Sequence, residues 1–309
     1  MTAAFLMRLD IFELVYGPEV RDRFPEAPIG FEPPSETEVL FASWGAPALD
    51  EDRLARLPNL KLVLYGAGMP ALATDAFWAT GIPLCTAKSA NAIPVSEYVL
   101  GAILLSLKGF WACQRITASG VWAKPTHRRP GLLGSTVGLI GLGEIGRLVR
   151  ARLEAHELRV RTYDPFCPDQ ANTDSLEELF AQSDVVSLHA PNVPANRGLI
   201  TESLLASLPE GATFLNTARG ALVDEEAMAR VAAARPDLTF LLDVTDPEPP
   251  AADSPLFRLP NVVMTPHIAG CEGAECRRMG RLMVEEHDRF VRGEPLLHRY
   301  PAEQRAHLA

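Results

Sequence analysis

The sequence predicts an α/β protein with two doubly wound parallel sheets, and three observations lead to this fold class. The chain has 309 residues, and at about 150 residues per domain this length favours two domains. Apolar residues make up 47% and charged residues 22%, which is the composition of a folded protein with a sizeable core. Short apolar runs alternate with helical segments along the chain, which is typical of parallel sheets covered by helices on both faces.

The alternation is clearest between about residues 137 and 266, where six strands are expected. The predicted strands are 137–140, 159–163, 184–188, 213–216, 239–244 and 261–264, and the predicted helices between them are 142–155, 175–182, 201–207 and 225–234. Six strands are the count of a complete doubly wound sheet of the dinucleotide-binding type.

The first 90 residues repeat the alternation more weakly, which predicts a second, smaller domain. Its expected strands are 3–7, 38–43, 60–65 and 82–85, and its expected helices are 50–57 and 74–80. An apolar helix is predicted over 95–108, with Pro94 at its start and Gly109 after its end. A last helix over about 272–292 is expected to pack back on the first domain. The predicted domains are therefore 1–93 with 270–309, and 94–269.

Charge and composition argue against several classes of protein. The 29 Lys and Arg against 39 Asp and Glu give a net charge of −10, which disfavours nucleic acid or an anionic membrane surface as partners. The longest uncharged stretch, 130–143, is shorter than the roughly 20 residues of a membrane span, and Arg8 and Asp10 interrupt any signal peptide. Five cysteines without a C-x-x-C predict neither a disulfide framework nor a metal site. We expect a cytoplasmic protein.

A glycine-rich motif, Gly141-Leu-Gly143-Glu-Ile-Gly146, follows the strand 137–140 and opens the next helix. In this context the first glycine permits a tight turn, the second lets a pyrophosphate approach the backbone, and the third lets helix pack on strand. Asp164 stands 18 residues beyond Gly146, at the end of the next strand, where a carboxylate accepts the ribose hydroxyls of NAD and repels the 2′-phosphate of NADP. The alternative is that the glycines only form a turn and Asp164 only caps a loop.

Three polar residues, Arg219, Glu248 and His267, lie just beyond the carboxyl ends of later strands, the edge where open α/β sheets bind ligands. A guanidinium binds a carboxylate through two parallel hydrogen bonds. An imidazole transfers protons, and a neighbouring carboxylate favours its charged form. Spacing alone leaves open a surface turn at Arg219, a solvated charge at Glu248 and a strand cap at His267.

These residues stand in motifs that resemble, in order, those of the D-isomer-specific 2-hydroxyacid dehydrogenases. The resemblance covers nearly the whole chain. It rests on Gly66-Ala-Gly68, Val95-Ser-Glu-Tyr98, Gly120-Val-Trp122, Gly141 to Gly146, Asp164, Ser187-Leu-His-Ala-Pro191, Gly198-Leu-Ile200, Asn216-Thr-Ala-Arg-Gly220, Asp243-Val-Thr-Asp-Pro-Glu-Pro249 and Pro266-His-Ile-Ala-Gly270.

The resemblance implies a Rossmann-type NAD-binding domain, a smaller flavodoxin-like substrate domain, and reduction of a 2-oxo acid to a D-2-hydroxy acid by NADH. It implies that His267 is the general acid–base, Glu248 its carboxylate partner and Arg219 the residue that binds the substrate. The implied cofactor contacts are Gly141, Gly143, Glu144, Ile145, Gly146, Asp164, His189, Pro191, Thr217, Ala218, Arg219 and Asp243, the last through the nicotinamide carboxamide. The implied substrate contacts are Trp44, the backbone N–H groups of Ala67, Gly68 and Met69, and the side chains of Arg219 and His267.

The family resemblance also implies a homodimer through the region 95–131. Within it, 109–131 resembles an arm that embraces a second subunit, and it contains Trp111 and Trp122. Simple core packing is the alternative for these two tryptophans.

The sequence departs from the family pattern at three places. Met69-Pro70 follows Gly68 in place of an Asp-rich turn, Glu144 adds a negative charge near the pyrophosphate, and Cys271 replaces a small hydroxyl residue. Cys271 is either reactive or, as we expect, an inert core residue.

Subclass features leave the substrate open. Formate-type members carry glutamine where Glu248 stands, which disfavours that subclass. Phosphoglycerate-specific members present an arginine near the loop 43–46, and many have a regulatory extension that this chain is expected to lack. Trp44 instead favours a small or hydrophobic 2-oxo acid. Phosphite-type oxidation on the same three residues, and an NADH-sensing binding protein of the corepressor type, are the alternatives.

Overall fold

The computed structural model describes residues 1–128, 130–173 and 175–303, and it confirms the α/β class with two parallel sheets. The chain divides into two compact units, one formed by residues 1–92 together with the chain from Cys271 onward, and the other by 93–270.

Eleven strands are assigned within the described residues. They are β1 (Ala3–Leu6), β2 (Ile29–Gly30), β3 (Val39–Ala42), β4 (Leu62–Tyr65), β5 (Leu84–Thr86), β6 (Thr136–Ile140), β7 (Arg159–Tyr163), β8 (Val185–Leu188), β9 (Thr213–Asn216), β10 (Thr239–Leu242) and β11 (Val262–Met264).

Eleven α-helices are assigned within the same residues. They are α1 (Leu9–Val15), α2 (Gly17–Arg23), α3 (Glu51–Ala55), α4 (Asp75–Ala79), α5 (Lys88–Leu107), α6 (Phe110–Ala118), α7 (Glu144–Leu153), α8 (Leu176–Gln182), α9 (Glu202–Ala206), α10 (Glu225–Ala234) and α11 (Cys276–Val291).

In the first unit, five parallel strands lie in the order β2-β1-β3-β4-β5, which is the flavodoxin-like order. Its strands are apolar on both faces because helices cover both. On one face Phe5, Phe12, Tyr16 and Phe41 form an aromatic cluster. Helix α11 packs so closely on α1 that a Cβ on Gly280 would lie 2.2 Å from the carbonyl oxygen of Val15. The terminal helix therefore completes the core of this unit.

In the second unit, six parallel strands lie in the order β7-β6-β8-β9-β10-β11. The order reverses between β6 and β8, and ligands bind open α/β sheets at such a switch point. Leu179, Phe180, Phe214, Met228 and Phe240 are fully buried in the core on one face of the sheet. Because all six strands are parallel, the loops that leave their carboxyl ends share one edge.

Helix α5 corrects the prediction that a helix starts at Pro94, because it begins at Lys88 and contains Pro94 in its interior. A proline removes the N–H that would bind the carbonyl four residues earlier. That carbonyl, on Ala90, instead accepts the Cys271 thiol at 3.9 Å. Nearby, Ser96 Oγ donates to the carbonyl of Ile93 at 2.6 Å. The Cys271 thiol thus partly replaces the bond that Pro94 removes.

By length and composition alone, α5 is also apolar enough to cross a membrane, with a mean hydropathy of 1.4. Of the 18-residue window that meets this test, 56% is buried inside the protein, as in the core helix of a soluble protein. We therefore treat α5 as a core helix.

Helices α1, α2 and α6 and the short strand β2 were not predicted from the sequence. For α1 and α2 the spacing of Phe12, Val15, Tyr16 and Val20 is helical, and all four side chains are buried. Each of these two helices has only seven residues, and Gly17, the first residue of α2, has a φ of 69°. Such short helices depend on packing rather than on propensity.

Glu286 of α11 is 1% exposed and joins the chain after that helix to the sheet. Its carboxylate accepts the N–H of Leu297 at 3.0 Å, the N–H of His298 at 3.2 Å and the thiol of Cys85 at 3.3 Å. The same segment pairs with the edge strand β5, where the N–H of Thr86 donates to the His298 carbonyl at 3.0 Å. This pairing covers an edge that would otherwise be free to bind another strand.

We predict that Glu286→Ala lowers the free energy of unfolding by about 1–3 kcal/mol, because two backbone N–H groups lose their acceptor. Glu285→Ala is the matched control, since Glu285 is the exposed neighbour on the same helix, and a surface change of this kind alters stability by about 0.5 kcal/mol or less. Urea unfolding followed by circular dichroism measures both variants. Equal losses in the two variants would contradict the prediction.

Candidate active site

The glycine-rich loop after β6 packs too tightly for side chains at two of its three glycines. Gly141 has a φ of 94°, and a Cβ there would lie 2.8 Å from the backbone of His189, after the neighbouring strand β8. A Cβ on Gly146 would lie 2.0 Å from the carbonyl oxygen of Gly141. Gly143 differs, because a Cβ there would meet nothing within 4 Å. The loop thus packs tightly against its neighbours at Gly141 and Gly146 and leaves open space beside Gly143.

Gly143 is also the N-cap of the ten-residue helix α7, so the helix begins beside this open space. Helix N-termini favour anions through their N–H groups and the helix dipole. Glu144 lies in the first turn of α7 and adds a negative charge there. The backbone therefore has the geometry of a pyrophosphate site, with a nearby like charge.

Asp164 holds two loops together. Its Oδ2 accepts the N–H of Leu142 at 2.7 Å, and its Oδ1 accepts the N–H of Phe166 at 2.9 Å. The loop-capping role considered in the sequence analysis is therefore present. Each carboxylate oxygen has two acceptor positions, so this role leaves capacity for ribose hydroxyls as well.

Two polar residues, His189 and Thr217, directly follow the neighbouring strands β8 and β9. Burial lowers the pKa of His189 to about 4, so its imidazole is neutral at pH 7, and its Nε2 lies 3.0 Å from Ser187 Oγ. Thr217 Oγ1 is buried and has no hydrogen-bond partner within the described part of the chain. A buried polar atom without a partner is costly, and a bound ligand would supply one. Thr217, Gly143 and the start of α7 thus fit a dinucleotide.

Arg219 is presented by a loop that Asn216 fixes. Asn216 Nδ2 donates to the carbonyl of Arg219 at 2.9 Å, and Asn216 Oδ1 accepts the N–H of Ala218 at 2.9 Å. Arg219 Nη1 donates to the Ala218 carbonyl at 2.6 Å. Desolvation lowers the pKa of Arg219, and the charge of Glu248 opposes that shift. Sequence reasoning gave Asn216 no role, although a buried Asn at a strand end is a typical turn former.

His267 and Glu248 lie together, 19 residues apart in sequence, with Nδ1 2.6 Å from Oε1. Both side chains are partly exposed, so the imidazole is accessible from solvent. Because Nδ1 faces the carboxylate, Nδ1 carries a proton and Nε2 is the nitrogen left to exchange one. His267 has a φ of 56°, a conformation that non-glycine residues rarely adopt. A strained histidine of this kind must be held by its surroundings.

Asp243 holds the loop that carries His267. Its carboxylate is 2% exposed and accepts the hydroxyl of Thr265 at 2.7 Å, the N–H of Ile268 at 2.8 Å and the N–H of Ala269 at 2.9 Å. Its carbonyl accepts the N–H of His267 at 2.9 Å. Asp243 therefore has a positioning role that the sequence analysis did not find.

The predicted substrate loop of the first unit follows β4. The N–H of Ala67 donates to the carbonyl of Tyr65 at 2.8 Å, so it is engaged within the chain. The N–H groups of Gly68 and Met69 have no acceptor among residues that the structure describes. Trp44, at the end of the adjacent strand β3, is partly exposed. Two of the three predicted backbone donors are thus free.

The structure also shows the surroundings of Cys271, Trp122 and Trp111. Cys271 is buried, and burial raises the pKa of its thiol to about 12, which matches an inert core residue. Trp122 is 94% exposed, so core packing within this chain does not account for it. Trp111 is half-buried, and its Nε1 donates to Ser106 Oγ at 3.0 Å.

Comparison with known proteins identifies the family. Residues 100–269 match the model of the D-isomer specific 2-hydroxyacid dehydrogenase NAD-binding domain. The D-3-phosphoglycerate dehydrogenase of Mycobacterium leprae is 33% identical over 276 residues, which are 84% of this chain and 52% of that protein. The hydroxypyruvate reductase of Thermotoga maritima is 33% identical over 260 residues, 81% of this chain and 84% of that protein. The chain spans about half the length of several phosphoglycerate dehydrogenases that it matches.

A solved structure supports the same conclusion. The D-isomer specific 2-hydroxyacid dehydrogenase from Xanthobacter autotrophicus Py2, in complex with NADPH and MES, has a TM-score of 0.76 and 25% identity, covering 99% of both chains. The chain therefore belongs to the D-isomer-specific 2-hydroxyacid dehydrogenase family and carries its NAD-binding domain.

Proposed function

We propose that this chain interconverts a small or hydrophobic 2-oxo acid and the corresponding D-2-hydroxy acid, with NADH as the reductant. The observation that carries the proposal is the His267–Glu248 pair, with Nδ1 and Oε1 2.6 Å apart, at the sheet edge that also presents Arg219. A proton-transfer group and a cation for an anionic substrate thus stand beside a dinucleotide-binding loop.

Each residue has a defined part in the reduction. Arg219 binds the substrate carboxylate and polarises the carbonyl oxygen, because only one of its N–H groups is used within the described chain. NADH, when bound by the glycine-rich loop, would supply the hydride for carbon 2 of the substrate. His267 gives the Nε2 proton to the carbonyl oxygen, and Glu248 stabilises the imidazolium before this transfer. The products are the 2-hydroxy acid and the oxidised cofactor, and His267 regains its proton from water.

The remaining assignments complete the proposal. Asp164 favours NADH over NADPH by repelling a 2′-phosphate. In the first unit, the free N–H groups of Gly68 and Met69 are donors for the substrate carboxylate, and Trp44 is an apolar wall. Exposed Phe110, Val121 and Trp122 support a homodimer through the region 95–131. We place the protein in the cytoplasm.

A substrate panel tests the proposed function. We expect NADH oxidation with at least one of glyoxylate, hydroxypyruvate, pyruvate and longer 2-oxo acids, and a higher kcat/KM with NADH than with NADPH. Phosphite with NAD is included to test the alternative of phosphite oxidation. If the protein binds NADH but turns over none of these compounds, a sensing role replaces catalysis. A preference for NADPH would contradict the role given to Asp164.

A pair of glycine variants tests the cofactor loop. Gly143→Ala has room in the protein, so we expect an unchanged melting temperature, but its methyl group fills the space above the loop and raises the NADH dissociation constant about tenfold or more. Gly146→Ala, its matched control, meets a backbone oxygen and should lower stability by about 1–3 kcal/mol. Calorimetric titration and thermal unfolding measure the two effects. Wild-type NADH affinity in Gly143→Ala would show that the pyrophosphate lies elsewhere.

The pH profiles of two variants test the acid–base pair. Reduction needs the imidazolium, so its rate falls as pH rises. Glu248→Gln removes the neighbouring charge and makes the imidazolium less favourable, so the falling limb of kcat/KM for reduction should move to lower pH. Oxidation of the 2-hydroxy acid needs the neutral imidazole. In Glu248→Gln the oxidation rate should therefore rise at a lower pH than in the wild type. His267→Gln should remove this titration and lower the rate about 10²–10⁴-fold.

If the falling limb of the reduction profile stays in place or moves to higher pH in Glu248→Gln, the proposed pairing of Glu248 with His267 is wrong. Full activity in His267→Gln would refute the mechanism.

A further inference from the structure

The loop that carries His267 is connected to helix α5 by a hydrogen bond that no motif indicates. The hydroxyl of Tyr98, on α5, lies 3.0 Å from Thr265 Oγ1, and these residues are 167 positions apart in sequence. Both residues are half-buried at the core of the second unit. The contact therefore joins the catalytic loop to an element far away along the chain.

The direction of the bonds follows from the chemistry of the groups. A carboxylate accepts hydrogen bonds, so the single hydroxyl proton of Thr265 goes to Asp243 Oδ1, 2.7 Å away. Thr265 Oγ1 then has only lone pairs to offer, so Tyr98 must be the donor. The result is a directed chain from Tyr98 through Thr265 to Asp243.

Asp243 completes the connection to the catalytic residue. The same carboxylate accepts the N–H groups of Ile268 and Ala269, and the Asp243 carbonyl accepts the N–H of His267. These bonds lie on both sides of the residue whose φ is 56°. Fixing Thr265 therefore fixes one end of the strained turn, and the Asp243 bonds fix the other.

We propose that Tyr98 is a positioning residue for catalysis, which acts through Thr265 and Asp243 to hold the His267 imidazole in its reactive place. Tyr98 does not need to touch the substrate for this role. Burial and the nearby Asp243 charge raise the pKa of Tyr98, so its hydroxyl stays protonated and able to donate. The inference rests on the proposed function, because it assigns Tyr98 a part in the same proton transfer.

The first test separates catalysis from binding. Tyr98→Phe should lower kcat about five- to tenfold, because a small displacement of a catalytic group slows the reaction steeply, and leave the KM values for NADH and 2-oxo acid within about twofold. Tyr163→Phe is the matched control, since its hydroxyl has no partner among the described residues and it lies in the same unit. Wild-type kcat in Tyr98→Phe, or equal losses in both variants, overturns the proposal.

The second test asks whether Tyr98 acts through Thr265. Thr265→Val should lower kcat at least as much as Tyr98→Phe, and Thr265→Ser, which keeps the hydroxyl, should restore most of it. The double variant Tyr98→Phe with Thr265→Val should be no slower than Thr265→Val alone. Multiplied losses in the double variant would mean that Tyr98 acts by another route.

The third test does not depend on turnover. Hydrogen–deuterium exchange of the peptide containing residues 265–270 should quicken several-fold in Tyr98→Phe, with β6 and β9 unchanged as internal references. Unchanged exchange overturns the proposal even if the wild type reduces none of the 2-oxo acids tested. Wild-type turnover that His267→Gln abolishes supports the proposed function independently of the Tyr98 result.

Discussion

The site depends on a steric constraint at the carboxyl edge of the second sheet. At three points there, backbone segments of the loops approach one another so closely that only a hydrogen atom fits in place of a side chain. Gly141 lies against the backbone of His189, Gly146 against Gly141, and a Cβ on Gly220 would lie 2.0 Å from the backbone of Thr245. The first two contacts shape the dinucleotide loop, and the third brings the segment of Arg219 against the segment that leads to Glu248. Protein interiors transmit such constraints because they are close-packed.

Hydrogen bonds then fix the side chains that close packing alone leaves free to rotate. Asn216 holds the turn that presents Arg219, and Asp243 holds the turn that presents His267. In both cases a buried polar side chain at the end of a strand forms hydrogen bonds with backbone groups of a loop. For Asn216 this is the loop after its own strand, and for Asp243 it is the loop after the next strand. The arrangement explains how His267 keeps a conformation with a φ of 56°, since strain persists only where the surroundings determine it.

Charge at the site differs from charge over the whole chain. The protein carries a net charge of −10, yet the proposed substrate is an anion. Within the second unit, Arg219 and the N-terminal end of α7 supply local positive potential instead. Glu248, which lies beside His267, carries a negative charge that offsets part of the Arg219 charge. The binding of anions is thus local, as expected where screening weakens distant charges.

From the sequence alone one can predict the fold class, the six strands of the second unit, the glycine-rich loop, and the places of Arg219, Glu248 and His267 just beyond strand ends. Local patterns encode these features: apolar periodicity, turn residues, and polar residues at strand ends. The folded structure is needed to see that Pro94 lies inside a helix, that Trp122 is exposed, that Asp164 joins two loops and that Tyr98 contacts Thr265. These features depend on contacts between residues far apart in sequence, which strand register and core packing bring together and which no local pattern records.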